Sequence, residues 1–215
     1  FCDFDLLELS NIQEVIKKTN PNEIYNLAAQ SFVPTSFTVP IVTTDMNALG
    51  TLRILDTIKS IDKKIKFYQA STSEMFGKAQ EVPQSENTPF YPRSPYGVSK
   101  LFSHWITINY RESYNIHASS GVLFNHESPL RGGEFVTKKV TSTLARISKG
   151  SNETLKVGNI NARRDWGYAG DYVEAMWKML QQKKADDYVI APGKTNSVKD
   201  LINLTLNELK FNYKW

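Results

Sequence analysis

The sequence predicts an α/β fold built on a parallel sheet, and three observations predict it. Short apolar runs alternate with helical patterns along the whole chain. A helical pattern at residues 42–60 carries Met46, Leu49, Leu52, Ile54, Leu55 and Ile58 on one broad face. The 215 residues, 40% of them hydrophobic, supply enough material for one large domain or two small ones.

Each element follows from local signals. Residues 1–6 read as the end of a strand. Ser10 opens a helix, Gln13 completes a capping box, and Asn20-Pro21 stops it. Residues 23–28 (EIYNLA) and 65–70 (IKFYQA) read as short strands. A loop with Pro83, Pro89, Pro92 and Pro95 follows, and prolines this dense disfavour regular structure. Ser94 is then the N-cap, and Pro95 the first residue, of a helix reaching Tyr114. Strands at 117–124, 155–157 and 187–191 alternate with helices at 134–149, 171–182 and 197–209. The alternation gives way after Asn125 to a turn at 128–133, which places a domain change there.

Composition narrows the function. Cys2 is the only cysteine, so no internal disulfide or cysteine-based metal site can form, which fits a reducing compartment. His104, His117 and His126 lack metal-ligand spacing. The net charge of +4 comes from scattered pairs such as Lys17-Lys18 and Arg163-Arg164, with no aromatic-interleaved basic stripe for nucleic acid. Apolar stretches fall far short of a membrane span, and no leader-like segment opens the chain.

Chemistry concentrates in two motifs, STSEMFG (71–77) and YGVSK (96–100). Tyr96 and Lys100 stand four apart on a helix and so share a face. A phenol with a pKa of about 10 is a poor base at neutral pH, but a neighbouring cation favours its phenolate. Lys100 supplies that charge directly or through a bound ribose. Glu74 can remove a carbon-bound hydrogen and serve a nearby leaving group. Thr72 lies two residues before it, so an extended backbone would turn both to one side. Ser73 would point away.

YGVSK resembles the active-site helix of extended short-chain dehydrogenases/reductases. Together with STSEMFG, SPYGVSKLF, LFNHESPLRG and RRDWGYAGDYVEAMW, it resembles the GDP-mannose 4,6-dehydratase family over essentially the whole chain. The resemblance implies a Rossmann-like doubly wound sheet over residues 1–125 that binds NADP. It implies a smaller mixed α/β domain over 126–215 that binds the nucleotide sugar, part of it packing back on the first. It further implies a cytoplasmic lyase of GDP-fucose biosynthesis, homodimeric or homotetrameric, with GDP-mannose as substrate. Thr72, Glu74, Tyr96 and Lys100 match the catalytic set. Asp5, Leu6, Leu27, Ala28, Ala29, Gln30, Ser31, Lys100, His126 and Arg131 match cofactor contacts. Asn125, Lys139 and Arg164 match positions that hold the GDP-sugar, and the two cations suit a diphosphate. Val42 stands where an aromatic is expected and is not assigned. Another nucleotide-sugar dehydratase or epimerase, or a non-catalytic NADP-binding protein, remains an alternative.

No Gly-x-Gly-x-x-Gly run occurs, and the chain begins at Phe1. The expectation is a piece lacking the first two strands, part of the third, and the C-terminal end. Such a piece would leave the strand at 23–28 with an open edge and would be inactive alone.

Overall fold

The structure is a computed structural model, and it describes residues 1–211. In chain order the first elements are α1 (Leu9–Thr19), β1 (Glu23–Asn26), α2 (Val33–Thr38), α3 (Pro40–Thr44) and a π-helical turn (Asp45–Leu49). Then come α4 (Gly50–Ile61), β2 (Lys66–Thr72), a 3₁₀ turn (Ser73–Met75), α5 (Pro95–Tyr114), β3 (Ala118–Leu123) and β4 (Asn125–Glu127). The rest are α6 (Val136–Ser148), β5 (Arg163–Tyr168), α7 (Ala169–Leu180), β6 (Asp187–Ile190), β7 (Thr195–Ser197) and α8 (Val198–Glu208). Two compact units result: Phe1–Leu123 with Val173–Ile190, and Phe124–Tyr172 with Ala191–Trp215.

The first unit holds a parallel sheet of order β1-β2-β3-β6. Every residue of β3 is buried, as a central parallel strand requires. Phe67 of β2 meets Ile54, Leu55 and Ile58 of α4, Tyr110 of α5, and Ile12 and Ile16 of α1 in one core cluster. Burying each such side chain contributes about 1.5–3 kcal/mol. Tyr68 alternates to the opposite face, where its ring lies 5.9 Å from that of Tyr25. The unit is a Rossmann-like α/β fold in which β1 pairs only with β2 among the described residues.

The second unit holds a mixed sheet, β4 parallel and β7 antiparallel to β5. Helices α6 and α8 pack through Val140, Leu144, Val198 and Ile202. Ser197 and Asp200 form a full capping box at the start of α8.

Several expectations change. Residues 1–6 are not a strand. The Asp5 carboxylate accepts the Leu7 N–H, and Asn11 accepts the Asp5 N–H, so a local polar turn occupies that backbone. Ser10 is not a cap: the Asp5 carbonyl accepts the Glu8 N–H and α1 starts at Leu9. Residues 155–157 form no strand; Leu155 and Val157 pack against the α6–α8 cluster. The helix expected at 42–60 is observed as α3, the π turn and α4 in succession, and α2 precedes it. Strands β4, β5 and β7 were not anticipated.

Candidate active site

Parallel strands end on one side of their sheet, so the segments after β1 and β2 meet the first turns of the following helices there. Ser94 caps α5 by accepting the Gly97 N–H at 3.0 Å, as the sequence predicts. Gly97 then lets α5 sit directly on the 3₁₀ turn, since a Cβ would lie 2.8 Å from the Glu74 carbonyl oxygen. This close approach brings the segment bearing Glu74 against the helix turn bearing Tyr96. Gly77, at φ +50°, returns the chain so that Tyr91 N–H reaches the Met75 carbonyl and Lys78 N–H the Tyr91 carbonyl.

The four predicted catalytic residues therefore fall in one unit, at one end of one sheet. Tyr96 is buried and Glu74 half-buried. The Glu74 carboxylate has no hydrogen-bond or ion-pair partner among the described residues. Thr72 departs from the extended-backbone argument, because the 3₁₀ turn begins at Ser73. Its hydroxyl instead accepts the Glu74 N–H at 3.2 Å and caps that turn.

Lys100 is 4% exposed, and burial lowers its pKa from 10.5 to about 8. It still carries its charge at neutral pH. Its Nζ donates to the Ala70 carbonyl at 3.0 Å, whereas an ammonium has three donors. The remaining N–H groups have no partner among the described residues, so the site fits a ligand rich in hydroxyl acceptors, such as a ribose.

Asn47 was not singled out from the sequence, yet it organises this end of the sheet. It is 2% exposed, accepts the Gln30 N–H at 2.9 Å and donates to the Gln30 carbonyl at 3.0 Å. It also donates to Ser99 Oγ at 3.1 Å, and its own carbonyl accepts from Ser103 Oγ at 2.7 Å. The loop after β1 is thereby tied to α5, one turn from Lys100. The π turn that carries Asn47 makes these bonds possible. One signal was legible: a lone amide set between the apolar residues Met46 and Ala48 of a helical stretch.

Around this hub, Leu27, Ala28 and Ser31 are exposed, and Ala29 and Gln30 are partly so, leaving backbone open to a ligand. Leu6 is a core residue against Gly50, and its carbonyl accepts from Arg53. Asp5 lies beside it in the turn before α1.

The other predicted binding residues belong to the second unit. Asn125 and His126 lie on β4 opposite Trp166 and Gly167 of β5. His126 stacks on Tyr172 at 4.6 Å, and its Nδ1 lies 2.9 Å from the Phe124 carbonyl. Arg131 pairs with Glu127 at 3.3 Å and lies over the Phe135 ring. Lys139 is exposed on α6. Arg164 is exposed on β5 and donates to the Arg163 carbonyl. No cluster of His, Cys, Asp and Glu suited to a metal ion occurs among the described residues, and none of their helices is long and apolar enough to cross a membrane.

A parallel Rossmann-like sheet with Tyr-x-x-x-Lys opening the helix after a Ser-Thr-Ser-Glu strand end defines an extended short-chain dehydrogenase/reductase. Solved structures agree on the fold. RMD from Pseudomonas aeruginosa complexed with NADPH is 27% identical with a TM-score of 0.91, over 99% of this chain and 74% of that one. UDP-glucose 4-epimerase from Thermotoga maritima, at 22% identity and TM-score 0.89 over 98% and 68%, shares the fold. The chain belongs to the GDP-mannose 4,6-dehydratase family, whose description, GDP-mannose 4,6 dehydratase, matches residues 1–215. It is 55% identical over 213 residues to GDP-mannose 4,6 dehydratase of Dictyostelium discoideum, covering 98% of this chain and 60% of that protein. It is 52% identical over 200 residues to the Homo sapiens GDP-mannose 4,6 dehydratase, covering 92% and 54%. The chain thus spans little more than half the length of these curated relatives.

Proposed function

We propose that the complete protein converts GDP-mannose to the 4-keto-6-deoxy sugar nucleotide and water, with NADP as its cofactor. The observation that carries this reading is Glu74, a half-buried carboxylate with no bonded partner among the described residues, seated by Gly97 against the turn bearing Tyr96. A simple alcohol dehydrogenase needs Tyr96 and Lys100 but has no use for such a base.

The bound nicotinamide supplies acceptance of hydride from the sugar C4 and its return at C6. Tyr96, favoured as phenolate by the Lys100 charge, takes the proton of the C4 hydroxyl. Thr72 accepts from Glu74 N–H, so its own O–H is available to the C4 oxygen. With C4 a ketone, the C5 hydrogen is acidic and Glu74 removes it as a proton. The C5–H electron pair becomes the C5–C6 double bond as the C6 hydroxyl leaves. That hydroxyl departs as water with a proton from Glu74 or a neighbouring hydroxyl, and C5 regains a proton when C6 receives hydride.

NADP rather than NAD rests on the family and on the NADPH carried by the Pseudomonas aeruginosa relative. Leu27, Ala28, Ala29, Gln30, Ser31, Asp5, Leu6 and Lys100 are its contacts in the first unit, His126 and Arg131 in the second. Asn125, Lys139 and Arg164 hold the GDP-sugar, the two exposed cations facing its diphosphate. The complete protein assembles as a homodimer or homotetramer, a reading that rests on the family alone. The lone, reduced cysteine fits the cytoplasm.

Glu74→Gln in the complete protein tests the assignment. The ketone should form and the reduced cofactor accumulate, with no loss of water. Dehydration at the normal rate would sink the role of Glu74.

A further inference from the structure

Behind Lys100 lies a buried amide cluster that the reaction does not use directly. Gln69, 1% exposed on β2, donates Nε2 to the Ala70 carbonyl at 3.0 Å, the oxygen that also accepts Lys100 Nζ at 3.0 Å. On its other side, Gln69 Oε1 accepts from Asn26 Nδ2 at 2.9 Å and lies 3.2 Å from the Thr51 hydroxyl. Asn26 and Thr51 are 5% and 1% exposed. Donors crowd Oε1, so the amide is locked with its NH₂ end on Ala70. Two 3.0 Å bonds to one oxygen keep Gln69 Nε2 within about 6 Å of the ammonium.

We propose that Gln69 is a positioning residue for Lys100. It occupies one lone pair of the Ala70 carbonyl and sets the positive end of its amide beside the ammonium. Lys100 is thereby limited to a single weak anchor, and its other N–H groups stay available on the face it shares with Tyr96. The lowered pKa of Lys100 agrees with an ammonium short of acceptors, burial being its whole cause.

The ionisable groups around Lys100 are few. Its own helix carries Tyr96 and His104 four residues to either side and, farther along, Tyr110, Arg111 (paired with Asp187), Glu112 and Tyr114, and the 3₁₀ turn carries Glu74. On α4, Arg53 is paired with Asp45, and Asp56 with Lys59 and Tyr110. Lys66 of β2 reaches the Leu180 carbonyl and Glu23. Neither β3 nor α2 and α3 contributes a charged residue. Gln69 is an uncharged lever on Lys100, joined to it through the shared Ala70 carbonyl oxygen.

The inference rests on Lys100 serving Tyr96, but its test reads Lys100 itself. The complete protein is isotope-labelled at lysine Cε, Lys100 is assigned by its loss in Lys100→Met, and its resonance is followed by NMR from about pH 6 to about pH 11. Gln69→Glu puts a carboxylate within about 6 Å and should raise the Lys100 midpoint by about one to two pH units. Gln69→Met frees the carbonyl and should raise it by about half a unit. Thr51→Val loosens the far side of the cluster, so it should lower the melting temperature and leave the midpoint in place. Melting temperatures that fall in both Gln69 variants, with midpoints within about 0.2 unit of the parent, would make Gln69 a packing residue and overturn the proposal. Should Gln69→Glu not fold, Gln69→Met decides alone. A midpoint that moves equally in Thr51→Val also overturns it. None of these outcomes bears on dehydration by Glu74, which its own variant reads.

Discussion

Replacing Lys100 by Met should make the chain more stable at neutral pH, and the gain should vanish in alkali. The ammonium is 4% exposed and has one carbonyl partner, and burial lowers its pKa from 10.5 to about 8. Below pH 8 both folded and unfolded states are protonated, and the folded state bears the full cost of the buried charge. Between pH 8 and 10.5 the folded state loses its proton first. The unfolded state then binds more protons, so stability rises with pH across that window. The gap between 10.5 and about 8, at about 1.4 kcal/mol per pH unit, corresponds to about 3 kcal/mol. Methionine fills most of the same volume without charge, and the Ala70 carbonyl keeps its bond from Gln69. Urea unfolding of parent and variant at about pH 7 and about pH 10.5 reads the effect, other titrating groups cancelling in the difference. The midpoints should differ by about 1 M at neutral pH and converge at the alkaline end. A variant less stable than the parent at neutral pH, or a difference independent of pH, would refute the reasoning.

Gly97→Ala places a methyl 2.8 Å from the Glu74 carbonyl and should push the turn away, costing about 1–3 kcal/mol in unfolding measurements. In the complete protein it should also lower kcat far more than it raises KM. Asn47→Ala removes both bonds to the part-buried Gln30 backbone and should cost about 1–3 kcal/mol, with faster amide exchange at Gln30 as the specific sign. The 215-residue chain has no Gly-x-Gly-x-x-Gly loop for a pyrophosphate, so calorimetry should find NADP affinity weaker than micromolar. Micromolar binding would contradict that.

How far the sequence could be read depended on how local the causes were. Helix α5 was legible because Ser94-Pro95 act within one turn, and Tyr96 and Lys100 inherited their shared face from it; its left-handed C-cap, Asn115, was not used in the sequence reading. Strand β6 was legible from the apolar run Tyr188, Val189 and Ile190 that follows Asp187. Pro34 and Pro40, which the sequence reading did not use, each sit in the first turn of a short helix. Strand β5 carries Arg163, Arg164 and Asp165, and only its long-range pairing with β4 and β7 makes it a strand. The Asn47–Gln30 bonds and the shared carbonyl of Ala70 join segments 17 and 30 residues apart, beyond the reach of any periodicity. Glu74 was placed correctly at the end of β2, but for an incomplete reason: a glycine on the next helix seats it, not strand alternation.

Hydride tracing tests the central claim most directly. The complete protein would be given NADP and GDP-mannose bearing deuterium at C4 of the sugar, and the product examined by NMR and mass spectrometry. The account predicts deuterium at C6 of the 4-keto-6-deoxy product, carried within a single sugar even when labelled and unlabelled substrate are mixed. Deuterium returned to C4, with the C6 hydroxyl retained, would mark an epimerase and contradict it.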